Sequence, residues 1–243
     1  MLRYLVNFVF PPRCAGCGIR LPIDGRARLC SACLAGIERL HGPLCVTCGI
    51  PLYDRAADGG EPSCGVCRQT PPHFTAARAV TRYRSSEEAT AVVPSLIRRH
   101  KYGRDQSLSH ALAECLTDPL PLAENGYDLV LPVPLHPERL RWRGFNQAAL
   151  LGMEVARRLG SRLAVNVLMR TRATPAQTAQ DRRQRQRNVH DAFRVARPAA
   201  VASRRVLLVD DVMTTGATVD ECARTLLGSG ARRVDVLALA RAL

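Results

Sequence analysis

Apolar positions along the chain fall into two regimes. From about residue 73 onward, short apolar runs alternate with stretches of helical period. Ala76 to Tyr83, Asp128 to Val133, Leu163 to Met169, Arg204 to Val209 and Arg233 to Leu239 have the length and content of buried strands. Ser86 to His100, Ser107 to Leu116, Asn146 to Leu159 and Thr218 to Leu227 place apolar residues at helical spacing. In the third of these, Leu150, Leu151, Val155 and Leu159 share a face and Gly160 supplies the stop. Asp118-Pro119-Leu120-Pro121 is a breaker, and 170–190 is polar, arginine-rich and without apolar period, which predicts a long loop. Strands alternating with helices predict an α/β domain with a mostly parallel sheet, ligand-binding beyond the carboxyl ends of its strands. Residues 1–72 differ. They hold few large apolar side chains, and Pro71-Pro72-His73 marks the boundary. Met1 to Phe10 predicts a short packed helix, too interrupted for a secretory signal.

Of the 243 residues, 47% are hydrophobic, which suffices for a core and excludes wholesale disorder. The longest apolar runs are far below the roughly 20 residues of a membrane span, so the expected location is the cytoplasm. The net charge of +14 points to a polyanionic partner. Of 35 basic residues only Lys101 is a lysine, an arginine bias that carries no function by itself.

Eight of the ten cysteines form four C-x-x-C pairs: Cys14/Cys17, Cys30/Cys33, Cys45/Cys48 and Cys64/Cys67. The first and third are followed by Gly18 and Gly49, the others by no glycine, so the segment reads as one unit repeated. Two thiolates per turn and two turns per ion close a tetrahedral zinc site with no open position, a structural arrangement. The expectation is two zinc ribbons whose folding depends on metal. Regular C-x-x-C pairs are a poor disulfide framework, and no strand–helix pattern supports a thioredoxin-type motif. Cys115 and Cys222 sit in apolar helical patterns and read as small buried hydrophobes.

The stretch from Val206 to Thr218 carries the chemistry. An apolar run feeds Asp210 and Asp211, then a small hydroxyl-rich loop, Thr214, Thr215, Gly216, Ala217 and Thr218, opens a helix. Backbone N–H groups, hydroxyls and a helix N-terminus make a phosphate cradle, and the acids are placed to face ribose hydroxyls or a magnesium shell. The alternative is that the acids cap a helix and the threonines make turns.

In this order the stretch resembles the signature of type I phosphoribosyltransferases. By that resemblance Asp210 and Asp211 contact the ribose of phosphoribosyl pyrophosphate, Thr214 to Thr218 its 5′-phosphate, and Val133, Pro134 and Leu135 its pyrophosphate, with Mg2+. The 170–190 segment stands where such folds carry a hood, and Arg170 and Arg172 are then candidates to stabilise departing pyrophosphate. His136 neighbours the pyrophosphate loop. Pro11-Pro12-Arg13-Cys14, His100-Lys101-Tyr102-Gly103, Arg143-Gly144-Phe145-Asn146-Gln147-Ala148 and the spaced Arg170, Arg172, Thr174, Gln177, Arg187, Asn188 and Phe193 extend the resemblance over the full chain, to the ComF family of competence proteins. It implies a double zinc ribbon (1–72) before a phosphoribosyltransferase-like domain (73–243), and a part in handling single-stranded DNA during uptake, alongside a competence helicase and a recombination mediator.

Twelve arginines lie between Arg139 and Arg187, opposed only by Glu154 and Asp181. Arg139, Arg141, Arg143, Arg182 and Arg183 are the candidate nucleic-acid track, with Tyr102, Trp142 and Phe145 as stacking rings. A solvated surface is the alternative, and Trp142 and Phe145 also suit a core. Three functions remain open: a binding protein for single-stranded DNA or a phosphoribosyl ligand, an active phosphoribosyltransferase acting on a nitrogenous base, and a regulator sensing phosphoribosyl pyrophosphate.

Overall fold

The computed structural model describes residues 6–8, 10–23, 27–52, 61–83, 91–103, 105–116, 121–173 and 182–243, with backbone alone at Arg182, Arg183 and Arg185. Five parallel strands form the main sheet: β1 (Ala77–Tyr83), β2 (Leu129–Pro132), β3 (Arg162–Leu163), β6 (Arg205–Met213) and β7 (Arg233–Ala242), in the order β1-β7-β6-β2-β3. Buried on both faces, β2, β6 and β7 are almost continuously apolar.

Their alternate residues feed two cores. Leu129, Leu131, Val206, Leu208, Val234 and Val236 point to one face, where helix α8 (Ala217–Gly228) packs through Val219, Cys222 and Leu226. Val130, Leu207, Val209, Leu237 and Leu239 point to the other, under α3 (Val92–Tyr102), α4 (Leu108–Glu114) and α6 (Gln147–Leu159). Gly152 brings α6 close to the sheet, since a Cβ there would meet Leu163 at 3.3 Å. Asn146 caps this helix by accepting from the Ala148 N–H, and Gly160 ends it at φ 62°. Cys115 and Cys222 are fully buried, as expected of small hydrophobes.

The cysteine segment contributes two short helices, α1 (Ser31–Ala35) and α2 (Gly65–Gln69), and docks as two halves on the two faces of the sheet. Cys14, Leu29 and Cys33 join the α3/α4 core, while Cys45, Cys48 and Cys67 join the α8 core. Glu114 of α4 accepts from the Arg28 and Leu29 N–H groups, and Arg99 donates to the Ala15 carbonyl. Between the halves, Glu38 to Leu40 runs along the free edge of β1: Leu40 N–H bonds the Val80 carbonyl at 3.1 Å, and Thr81 donates its hydroxyl to the Glu38 carbonyl. The inter-ribbon link thereby covers an edge strand that would otherwise invite foreign pairing.

Several expectations are corrected. The run from Leu163 to Met169 is not one strand: Leu163 ends β3, the chain turns, and β4 (Leu168–Arg170) pairs antiparallel with β5 (Phe193–Val195) in a separate ribbon. Asn166 sits in that turn, and Val165 is exposed. The segment 170–190 is not all loop, because α7 spans Arg182–Val189. It has no apolar stripe. Arginine and glutamine are good helix formers, and α7 is held by the buried Val189 and by Arg172, which donates to the Asn188 and His190 carbonyls (3.0 and 2.7 Å). The strand starting near Arg204 runs on through both acids to Met213. A short helix, α5 (Pro137–Arg143), buries none of its residues and so has no apolar period; Pro137 begins it and Gly144 at φ 84° ends it. The start of the expected 86–100 helix, the 118–120 breaker and Thr174 to Asp181 of the hood lie outside the described residues, as do residues 1–5 and 9 of the first segment; residues 6–8 are helical.

Candidate functional site

Two four-cysteine clusters match the predicted repeat: Cys14, Cys17, Cys30 and Cys33, and Cys45, Cys48, Cys64 and Cys67, with the sulfurs of each within 4.8 Å of one another. The halves are built alike. In each, the second pair donates backbone N–H to sulfur, Cys30 to Cys14 and Cys64 to Cys45, both at 3.3 Å. Gly18 and Gly49 follow the first knuckle at φ 78° and 68°. All ten cysteines are unbridged. The sulfurs of Cys17 and Cys30, and of Cys48 and Cys64, stand 3.7 Å apart, close to the about 3.8 Å edge of a tetrahedron with metal–sulfur bonds of about 2.3 Å. Four soft donors at that spacing fit zinc, and no ligand position is left open. The second cluster is the more enclosed: Cys17 is exposed, whereas the Arg241 guanidinium, itself buried, donates to the Cys48 carbonyl at 2.6 Å.

The second site lies at the carboxyl ends of the strands. From β2 the chain passes through α5 and then through α6 on one face to β3; from β6 it passes through α8 on the other face to β7. The neighbours β2 and β6 therefore send their following helices to opposite faces, and a crevice opens between them. It measures about 510 Å³. Pairing with β2 stops at Val209, so Asp210 and Asp211 project beyond that neighbour while β6 remains paired to β7.

The strand's period of two sends the acids to opposite sides. Asp211 turns to the face of α3, where Lys101 Nζ lies 2.8 Å from its Oδ2. Asp210 turns to the face of α8. Burial, then the Asp211 charge, pushes Asp210 up to about 7. For Lys101, burial works against the charge, and the adjacent Asp211 outweighs it and holds the ammonium above its ordinary range. Burial lowers Arg143 and Arg170 and brings His100 down to about 4, so this imidazole, bonded to Ser109 at 3.0 Å, is neutral.

After β6 the chain turns through Thr214, Thr215 and Gly216, whose φ of 84° a side chain rarely adopts. Thr214, Gly216, Ala217 and Thr218 line the crevice at the start of α8, where backbone N–H groups lack helical partners. Opposite them, Val133, Pro134 and Leu135 line it too, held by Asn146, which donates its amide to the Val133 carbonyl at 3.1 Å. Thr215 instead faces a smaller cavity of about 60 Å³ behind the loop, shared with Cys48, Cys67 and Arg241.

The basic residues separate. Arg139, Arg143 and Arg170 line the crevice, and Arg170 stacks over Phe193 at 5.4 Å. Arg172 donates to the Asn188 and His190 carbonyls at the end of α7 and is not among the residues lining the crevice. Arg141 is exposed and outside the lining. The side chains of Arg182 and Arg183 lie outside the described residues. Tyr102 and Trp142 line the mouth with 65% and 51% exposure, whereas Phe145 is buried against His100 with ring centroids 4.7 Å apart, a core residue and not a stacking platform. His136 precedes α5 and lies 3.6 Å from Glu138, and His73 bonds Asp220. Lys101 and Asn146 were not singled out from sequence as site residues. Two signals for Lys101 stand in the sequence: no other lysine exists in the chain, and it lies in the His100-Lys101-Tyr102-Gly103 segment.

Two closed four-cysteine sites and a parallel sheet with an acid pair before a small-residue loop define a double-zinc-ribbon protein of the type I phosphoribosyltransferase fold. Residues 5–68 match the double zinc ribbon domain and residues 146–243 the phosphoribosyl transferase domain. The chain is 36% identical to the DNA utilization protein YhgH of Escherichia coli strain K12, over 92% of this chain and 95% of the relative. It is 31% identical to competence protein F of Haemophilus influenzae over 98% and 100%, and 23% identical to competence protein ComFC of Bacillus subtilis over 84% and 79%. It belongs to this ComF family. Among the described residues no helix is long and apolar enough to cross a membrane.

Proposed function

We propose that the crevice binds a phosphoribosyl ligand, phosphoribosyl pyrophosphate with Mg2+ or a nucleotide, and that the protein acts in DNA uptake by handling single-stranded DNA. One observation carries the first part: an acid pair at the carboxyl end of the central strand opens into a loop and helix N-terminus across a crevice from the Val133–Leu135 loop. Asp210 and Asp211 would receive the ribose hydroxyls, Thr214 to Thr218 the 5′-phosphate, and Val133 to Leu135 the pyrophosphate, with Arg170 countering its charge. Asp210 and Asp211 would be the residues to hold Mg2+, which would supply further charge neutralisation for the diphosphate.

The DNA reading is supported by the names of the relatives, by the +14 charge, and by the exposed Tyr102 and Trp142 beside Arg139 and Arg143 at the crevice mouth. Arg141 on the same helix, with Arg182 and Arg183, would extend the track. A helicase and a recombination mediator of the uptake pathway are the proposed protein partners, and the cytoplasm the proposed location.

Calorimetry with phosphoribosyl pyrophosphate and Mg2+, followed by a fluorescent oligonucleotide titrated at two salt concentrations, tests both parts. Saturable binding that Asp210→Asn/Asp211→Asn abolishes supports the crevice assignment; heat unchanged by that variant removes it. Oligonucleotide affinity should fall steeply with salt and weaken in Arg139→Ala/Arg143→Ala. Catalysis is a second reading, favoured by Asp210, whose value near neutrality suits proton transfer. Pyrophosphate release with any base in a panel would establish it, and binding without release would leave a carrier or sensor of the ligand.

A further inference from the structure

Lys101 is the only lysine among 35 basic residues. It sits in the last turn of α3, across the sheet from α8, and its Nζ reaches Asp211 Oδ2 at 2.8 Å in the crevice lining. The other cations there, Arg139, Arg143 and Arg170, are guanidinium groups. Since this chain uses arginine at every other cationic position, the lysine answers a need that arginine does not meet. A guanidinium is a planar fork that engages a carboxylate through two parallel bonds and stays there. An ammonium is a compact charge with three rotatable donors. Its single bond to one Asp211 oxygen leaves donors for a second anion. The side chain is about one-fifth exposed and lines the crevice.

We infer that Lys101 is the transferable cation of the crevice: its ammonium rests on Asp211 in the empty site and passes to a diphosphate oxygen of the entering ligand, releasing Asp211 to the ribose hydroxyls. The inference rests on the phosphoribosyl reading of the crevice and adds a residue and a step to it. Two acids of the empty site require a counterion, since like charges so near resist joint ionisation. An anionic ligand brings its own demand for that same charge. One mobile ammonium serves both states without a net change in crevice charge beyond the ligand's own.

The uniqueness of the residue supplies the test. Lys101 and the N-terminal amine are the chain's two amine targets for a reagent such as acetic anhydride, and peptide mass spectrometry separates them from each other and from any acylated tyrosine or cysteine. On the full-length, zinc-loaded protein, phosphoribosyl pyrophosphate with Mg2+ should slow Lys101 labelling by about fivefold or more while the N-terminal amine reacts unchanged. Asp211→Asn should speed labelling of Lys101, because its ion pair is lost. Lys101→Gln should weaken ligand affinity about tenfold, the loss expected of one charged hydrogen bond, and Lys101→Arg should not restore it. Ligand that binds the wild-type protein without protecting Lys101 overturns the inference, as does full affinity in Lys101→Arg. Inorganic pyrophosphate is the separating probe. Protection by pyrophosphate where phosphoribosyl pyrophosphate does not bind would sink the phosphoribosyl reading and keep the cation, and neither binding nor protection with either ligand would sink both.

Discussion

At the scale of single residues, the two acids of β6 do different work because a strand alternates its side chains. Asp211 is paired with Lys101; Asp210 faces the α8 core and is held at about 7 by burial and by its neighbour. An unfolded aspartic acid titrates near 4. Between those values the unfolded chain has released this proton and the folded chain retains it. The contribution to stability is therefore complete below about pH 4 and declines as pH rises toward about 7. Asp210→Asn removes that penalty. Its melting temperature, relative to wild type, should rise between about pH 4.5 and about pH 8, while ligand binding is lost. A difference that is the same at both pH values would show that Asp210 is not held in its neutral form. Strain tolerated at a binding residue in exchange for function is the general pattern.

At the scale of elements, the two ribbons repeat one plan but meet different surroundings. Gly18 and Gly49 hold equivalent left-handed turns after their knuckles. A Cβ at Gly18 would meet nothing within 4 Å, whereas one at Gly49 would stand 2.3 Å from the Ala77 carbonyl oxygen at the start of β1. Gly18→Ala should cost about 1 kcal/mol, the backbone term alone. Gly49→Ala should cost more than about 2 kcal/mol, since the ribbon must move off the strand. Urea midpoints of the two variants check this, and equal losses would mean that the second ribbon does not rest on β1 as described. The segment between β4 and β5 is likewise set by an element contact: the two strands pair at its ends, and Arg172 holds the end of α7.

At the scale of the molecule, the ribbons clasp the sheet from both faces, and the second backs onto the loop from Thr215 to Ala217. The small cavity between them is lined by Cys48, Cys67 and Arg241 on one side and by Thr215, Gly216 and Ala217 on the other. Metal analysis should return two zinc ions per chain, from the two clusters. Cys48→Ser/Cys67→Ser should weaken binding of the phosphoribosyl ligand about tenfold, and Cys17→Ser/Cys30→Ser much less. Calorimetry on both double variants decides it; an equal effect of the two would place the coupling elsewhere.

Much of this protein could be read along the chain because its signals are local. Four C-x-x-C pairs announce their ligands within a few residues, since a knuckle needs only a tight turn. The run from Val206 through Asp210 and Asp211 to Thr218 likewise carries its strand, acids, loop and helix start in one stretch, and the alternation of apolar runs sets a parallel sheet. What escaped the linear reading has no period or crosses long distances. Helices α5 and α7 bury too little to leave an apolar stripe, and Asn166 divides a run that looked like one strand. Arg172 stands 16 residues before Asn188, and only packing brings its guanidinium to the Asn188 carbonyl. The pairing of Lys101 with Asp211 joins residues on two elements that meet only when α3 crosses the sheet, and the burial that shifts Asp210 exists only after both cores close. Short-range sterics and ligand geometry are encoded locally; which charges face one another is decided by the strand order and by the side of the sheet each helix covers.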